Sequence, residues 1–206
     1  MLSRRTWIQV VPLTGLSLAL SAQARAAGAL AVAAPNRAVG AIVAATTGST
    51  AQITINGTLS PTQLGLGSVV VDIGSRVHLP PGARASRNFL DDARNAPKLG
   101  GNIRNALVQQ RPDLKDKLTA NHKAWTRTFA RKIMAWNHAL EQSPVRGQRI
   151  ADVHGRHALL NWAGATLEPK SSNKGPAALA RLPREPDSNT LQAYIRYIDS
   201  LVAALR

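Results

Sequence analysis

Apolar positions recur with a helical period most clearly between Asp113 and Glu141. Leu114, Leu118, Trp125, Phe129, Ile133, Trp136 and Leu140 follow one another at steps of three, four or seven. Pro112 and Asp113 suit the opening of such a helix, because proline fixes φ and has no N–H to leave unpaired. Continuous to Glu141, the helix runs about 45 Å at ~1.5 Å per residue. A second strong stripe closes the chain, with Leu191, Ile195, Ile198, Leu201, Val202 and Leu205 on one face of a helix over 190–206. A third helix carries Leu99, Ile103 and Leu107. Asp92 or Asn95 is its candidate cap, and Pro97 with Gly100-Gly101 weakens its start.

Elsewhere the pattern is extended. Residues 29–34 and 51–55 are strand candidates, the second ending in an Asn56-Gly57 turn signal. Ser68 to Gly74 is a β-branched run broken only by Asp72, which suits a strand covered on both faces, as in a parallel sheet. Leu79-Pro80-Pro81-Gly82 breaks the chain. After Pro144, residues 149–154 read as a strand ending in His154, and 156–163 as a short helix stopped at Gly164. Residues 165–169 are extended, 170–175 form a loop, 176–182 a short helix and 183–189 a linker. Strands alternating with helices predict an α/β protein. There is no internal repeat.

Charge changes this picture in one respect. The 206 residues hold 26 Lys+Arg and 11 Asp+Glu, and Asp72 is the first acid. A balance this basic raises nucleic acid as a partner. The cations, however, are spread through 76–156 with acids among them, so the reading is a solvated basic surface and no nucleic acid.

Residues 1–26 have the three parts of a secretory signal: Arg4 and Arg5, an apolar stretch from Trp7 to Leu20, and the small-x-small site Ala24-Arg25-Ala26. Ser3 to Gln9 also resembles the twin-arginine export consensus. The chain has no cysteine, which excludes disulfides and the lipid-bearing cysteine of a lipoprotein. Catalytic signatures are missing too: no Gly-x-Ser-x-Gly turn, phosphate-cradling glycine loop or His-Glu-x-x-His helix occurs. The expectation is a protein that is not an enzyme.

Several stretches, in order, carry a family resemblance: Leu90-Asp91-Asp92-Ala93-Arg94-Asn95-Ala96 with Asn102-Ile103-Arg104-Asn105-Ala106-Leu107, Ala120-Asn121-His122 inside the long helix, Val153-His154 before an apolar helix, Ala165-Thr166-Leu167-Glu168-Pro169-Lys170, and Ala193-Tyr194-Ile195-Arg196-Tyr197-Ile198-Asp199. Together they resemble the periplasmic solute-binding proteins of zinc/manganese ABC importers. The match covers 88–206 and is looser over Leu59–Gln63 and Val69–Gly74.

The resemblance implies an α/β fold of two small, incomplete lobes joined by a long rigid helix. The parts are a signal peptide over 1–26, an N-terminal α/β lobe over 27–111, the linking helix over 112–142 and a C-terminal α/β lobe over 143–206. It further implies a periplasmic monomer that carries a divalent ion, Zn2+ or Mn2+, to an ABC permease in the inner membrane. Imidazoles and a carboxylate are the ligands such ions favour.

Carried over by position, Gly57 stands where the family's first ligand histidine is expected. Arg87 (or Asn88, in a register shifted by one) stands at the second. His154 matches the third and is the metal-ligand candidate, with His157, Asp152 or Glu185 as possible helpers. The final carboxylate has no clear counterpart in the shortened Arg184–Ser188 stretch. His122 and His138 are expected to be packing or surface residues, and His78 sits beside the Pro-Gly loop. The alternatives left open are a relative that keeps the frame without the ligand, as a structural or interaction protein, and a basic nucleic-acid binder.

Overall fold

The computed structural model describes residues 29–74 and 88–206. The proposed signal segment 1–26, the Leu79–Gly82 break, His78 and Arg87 lie outside them. Strand β1 (Leu30–Ala34) leads into helix α1 (Arg37–Thr47) and returns as β2 (Ala51–Ile55), parallel to β1. Strands β3 (Gln63–Leu66) and β4 (Val69–Asp72) then add on the other side of β1, each antiparallel to its neighbour, giving the order β2-β1-β3-β4.

Two features of this first section depart from the sequence reading. Helix α1 is not visible in the pattern, because nearly all of it is buried. Ala38, Val39, Gly40, Ala41, Ile42, Val43, Thr46 and Thr47 all face protein, so no polar face marks the period. What starts it is local. The Asn36 side chain accepts a hydrogen bond from the Val39 N–H at 2.9 Å, satisfying a donor the helix cannot pair internally. The second departure is β4. It is a half-buried edge strand in an antiparallel pair, not a doubly covered parallel one. A β-branched run has the same sequence signature in both settings, and its partner β3, Gln63-Leu64-Gly65-Leu66, is too short to announce itself. Gly65 gives that strand its close approach to β1. A Cβ at that position would lie 3.1 Å from that of Ala33 on β1.

Helix α2 spans Asn95–Gln110 and buries Leu99, Ile103 and Leu107. Neither expected residue caps it. The Asp92 carboxylate instead accepts from the backbone and guanidinium of Arg94, and the Asn95 side chain donates to the Phe89 carbonyl at 3.0 Å. The Asn95 side chain thus serves the tight turn over Phe89–Asp91, and the Asp92 carboxylate the bend at Arg94. Pro97 falls in the first turn, where a missing N–H costs nothing.

The long helix is present. A 3-10 turn over Pro112–Leu114 feeds α3, Lys115–Glu141, a 27-residue element of about 40 Å. Its buried face is Leu118, Trp125, Phe129, Trp136 and Leu140, packed against α1 and α2. Phe129 meets Trp125 and Trp136 edge-on at 5.7 and 5.5 Å and stacks on Tyr194 at 5.9 Å. Aromatic rings at helical spacing are core here.

Beyond α3 the expected strand over 149–154 is reduced to β5 (Arg149–Ile150), which pairs in parallel with β6 (Thr166–Leu167) across the short helix α4 (His157–Trp162). The chain leaves the sheet early because the His154 N–H donates to the Asp152 side chain at 3.0 Å and Gly155 takes φ +67°. This local turn competes with strand pairing. Helix α5 (Leu191–Ala203) closes the chain, its first turn capped by the Thr190 hydroxyl. One apolar cluster runs from Val32 to Leu205 through all of these elements. No helix among the described residues is long and apolar enough to cross a membrane.

Candidate functional site

A cavity of about 260 Å³ opens where β1 and β2 end. Pro35, Asn36 and Ala38 at the β1–α1 junction, Ile55 at the end of β2 and Gly57 beyond it, and Asn88, Leu90 and Asp91 supply one side. Arg184, Glu185 and Tyr197 of the C-terminal segment supply the other. In open α/β sheets the crevice beyond the carboxyl ends of the strands is where ligands bind, because loops diverge there. β1 is the strand at which this sheet changes from parallel to antiparallel pairing.

Two carboxylates and two guanidinium groups set the chemistry. Asp91 is buried. Its Oδ2 accepts from Arg156 Nη1 at 3.0 Å and its Oδ1 from the Tyr197 hydroxyl at 2.5 Å. Arg156 is as buried as its partner, at 1% and 2% side-chain exposure. It donates further to the Tyr197 oxygen at 2.7 Å and to the carbonyls of Leu182 and Pro183 at 3.2 and 2.6 Å. One side chain thus joins the Phe89–Asp91 turn, helix α5 and the 182–184 segment.

Burial pushes the Asp91 carboxyl up to about 6, against the pull of Arg156 and Tyr197. Burial works against the Arg156 charge, but Asp91 and Tyr197 hold it protonated above its usual range. The Tyr197 phenol is raised by burial and by Asp91, so it stays un-ionised.

Glu185 is also engaged. Its Oε2 accepts the Arg37 N–H at 3.0 Å, in the first turn of α1, where unpaired helix N–H groups favour an anion. Arg184 donates to the His154 carbonyl, and Asn88 donates to the Gly155 carbonyl at 3.1 Å. The 154–155 turn is therefore tied to the pocket rim through its backbone.

The residues singled out from sequence fall into place as follows. Gly57 and Asn88 line the pocket, and Glu185 does too. His154 is half-buried just behind Arg184. Asp152 and His157 form a pair of their own, Oδ2 to Nδ1 at 2.6 Å, with the carboxylate buried and the imidazole half exposed. His122 is a packing residue. Its Nε2 lies 3.1 Å from the Pro97 carbonyl, its ring meets Trp125 edge-on at 5.6 Å, and burial lowers its pKa. His138 is exposed near the end of α3. Among the described residues no group of three or more His, Asp or Glu converges on one point.

Sequence reasoning missed Arg156, Asp91 and Tyr197. A cation two residues before the wholly apolar Ala158-Leu159-Leu160, with only His157 between them, is a signal that it points inward. Tyr194 and Tyr197, three apart on the closing helix's apolar stripe, are another.

The arrangement is similar to known structures. The chain resembles the laminin-binding protein Lbp of Streptococcus pyogenes, with TM-score 0.60 and 14% identity over 86% of this chain and 99% of that one. It resembles a cadmium-bound periplasmic metal-binding protein from Candidatus Liberibacter asiaticus, with TM-score 0.58 and 11% identity over 84% and 98%. It also resembles the solute-binding protein FpvC of Pseudomonas aeruginosa in complex with Mn2+, with TM-score 0.57 and 14% identity over 86% and 98%. No protein-family model matches the sequence, and no curated protein matches it. At these identities the likeness establishes the fold alone, the α/β fold of these solved proteins. The expectation of an α/β protein built around a long helix is borne out.

Proposed function

We propose that the chain is an exported, periplasmic solute receptor of the zinc/manganese type, working as a monomer with an ABC permease of the inner membrane. Residues 1–26 are its signal peptide. Residues 27–111 and 143–206 are its two reduced lobes, and 112–142 the helix between them. The observation that carries this reading is the pocket. It sits at the carboxyl ends of β1 and β2 and is closed from the far side by Arg184, Glu185 and Tyr197, in a fold whose solved neighbours include manganese- and cadmium-bound proteins. A divalent cargo would draw on His154 and on the Glu185 carboxylate, which lines the pocket.

One observation favours a second reading, in which the frame persists without a metal. Asp91 is held by Arg156 and Tyr197, and Glu185 by the α1 N-terminus. A guanidinium already fills the role of cation among these acceptors. Isothermal titration of the purified protein with Zn2+ and with Mn2+, beside His154→Ala, separates the two. Heat with either ion that is lost in the variant supports the receptor. No heat with either ion removes the transport role and leaves the metal-free relative.

A further inference from the structure

The outward face of α3 has no role in the pocket or the core, and its chemistry is one-sided. Lys123, Arg127 and Arg131 are exposed and four residues apart, so they stand in one line at steps of about 6 Å. None of the three takes part in an ion pair among the described residues. The acids of this face, Asp116 and Glu141, lie only in the first and last turns of the helix. Between the cations the exposed side chains are short, Ala124, Thr128 and Ala130, and Ala120 and Ala135 flank them, so the charged groups stand proud of the helix surface. Met134 shares the face at 70% exposure and is one of three large apolar side chains left open among the described residues.

We propose that this face of α3 docks the protein flat on a bilayer surface bearing anionic phospholipid headgroups. A continuous 27-residue helix presents these charges along one side, which a planar array of phosphates can meet simultaneously. Attraction to an anionic leaflet acts within a Debye length, about 8–10 Å at ordinary salt. The short alanines let the three cations come that close. Met134 gives an apolar contact suited to the headgroup boundary, which a nucleic-acid phosphate backbone does not use, and this selects lipid over nucleic acid. The docked face is turned away from α1 and α5, which supply Ala38 and Tyr197 to the pocket, so the pocket stays open to solution. The docking needs no particular cargo and stands apart from the metal question.

The test is co-sedimentation of protein purified from the periplasmic fraction with two kinds of vesicle: phosphatidylcholine alone, and phosphatidylcholine with phosphatidylglycerol. Binding is expected only to the second, falling steeply with salt. Each basic residue near an anionic leaflet is worth roughly fivefold in partitioning, so K123Q/R127Q/R131Q should lose about a hundredfold. All three positions are exposed, so the variant keeps its melting curve. The control K170Q/K174Q/R181Q removes the same charge from the loop and turn before α5 and should bind much as the parent does. Equal binding to both vesicles would overturn the proposal. So would an equal loss in the control, which makes net charge sufficient, or tighter retention on duplex DNA than on vesicles through the same three residues.

Discussion

The buried contact between Arg156 and Asp91 allows a quantitative test of how the two halves of the pocket are held together. Arg156→Met keeps most of the side-chain volume and removes the guanidinium. It deletes hydrogen bonds to Asp91, Tyr197, Leu182 and Pro183, and all of that side chain but 1% is out of solvent. Breaking a buried pair by removing one partner costs roughly 3–5 kcal/mol, because the remaining charge is left uncompensated. Against a total of about 5–15 kcal/mol for a protein of ordinary stability, this is a large fraction.

The loss should also depend on pH, which separates it from a simple packing defect. Asp91 already titrates near 6 with Arg156 present, and without the guanidinium its proton is held more firmly still. At pH 5 the variant therefore buries a neutral carboxylic acid. Its penalty falls to roughly 1–2 kcal/mol, the cost of imperfectly paired polar groups. Urea unfolding of parent and variant at pH 8 and pH 5 measures both values. The double variant with Asp91→Asn should recover much of the loss at pH 8. Should Arg156→Met fail to fold, Arg156→Lys keeps a charge, loses the forked geometry and gives an intermediate loss. A loss below about 1 kcal/mol at pH 8, or equal losses at the two pH values, would refute the reasoning.

Asp91 alone makes a related prediction. Its native pKa, about 6, lies above the ordinary 3.8, so the folded state binds this proton better than the unfolded chain does. The stability it contributes is full below the ordinary value and is lost as pH rises through 6. Subtracting the pH–stability profile of Asp91→Asn from that of the parent should reveal this slope. Two adjacent glycines on α2 should respond oppositely to alanine. A Cβ at Gly100 would come within 2.5 Å of Trp125, whereas at Gly101 the nearest atom is 3.9 Å away. Thermal melts should show Gly100→Ala losing roughly 1–3 kcal/mol to overpacking and Gly101→Ala gaining up to about 1 kcal/mol in helix propensity. Thr190→Ala removes the hydroxyl that caps α5 and should cost about 1 kcal/mol by urea unfolding.

The amino-acid sequence alone determined the elements whose surfaces are divided between water and protein. Helices α2, α3 and α5 show their apolar stripes because one face of each is wet, and periodicity is the record of that division. β1, β2 and the turn at Gly164 were legible for equally local reasons. Where burial is complete the record vanishes. Helix α1 has no polar face to set its period, and the edge position of β4 depends on β3, a four-residue partner without a signature of its own. The pocket lay further out of reach. Asp91, Arg156 and the stretch from Glu185 to Tyr197 come from segments tens of residues apart. A carboxylate that is held by a guanidinium reads in sequence like one left to solvent. Only the tertiary structure decided which carboxylates are spent on Arg156, Tyr197 and the α1 N-terminus, because desolvation and pairing are properties of the assembled neighbourhood and not of any local stretch of chain.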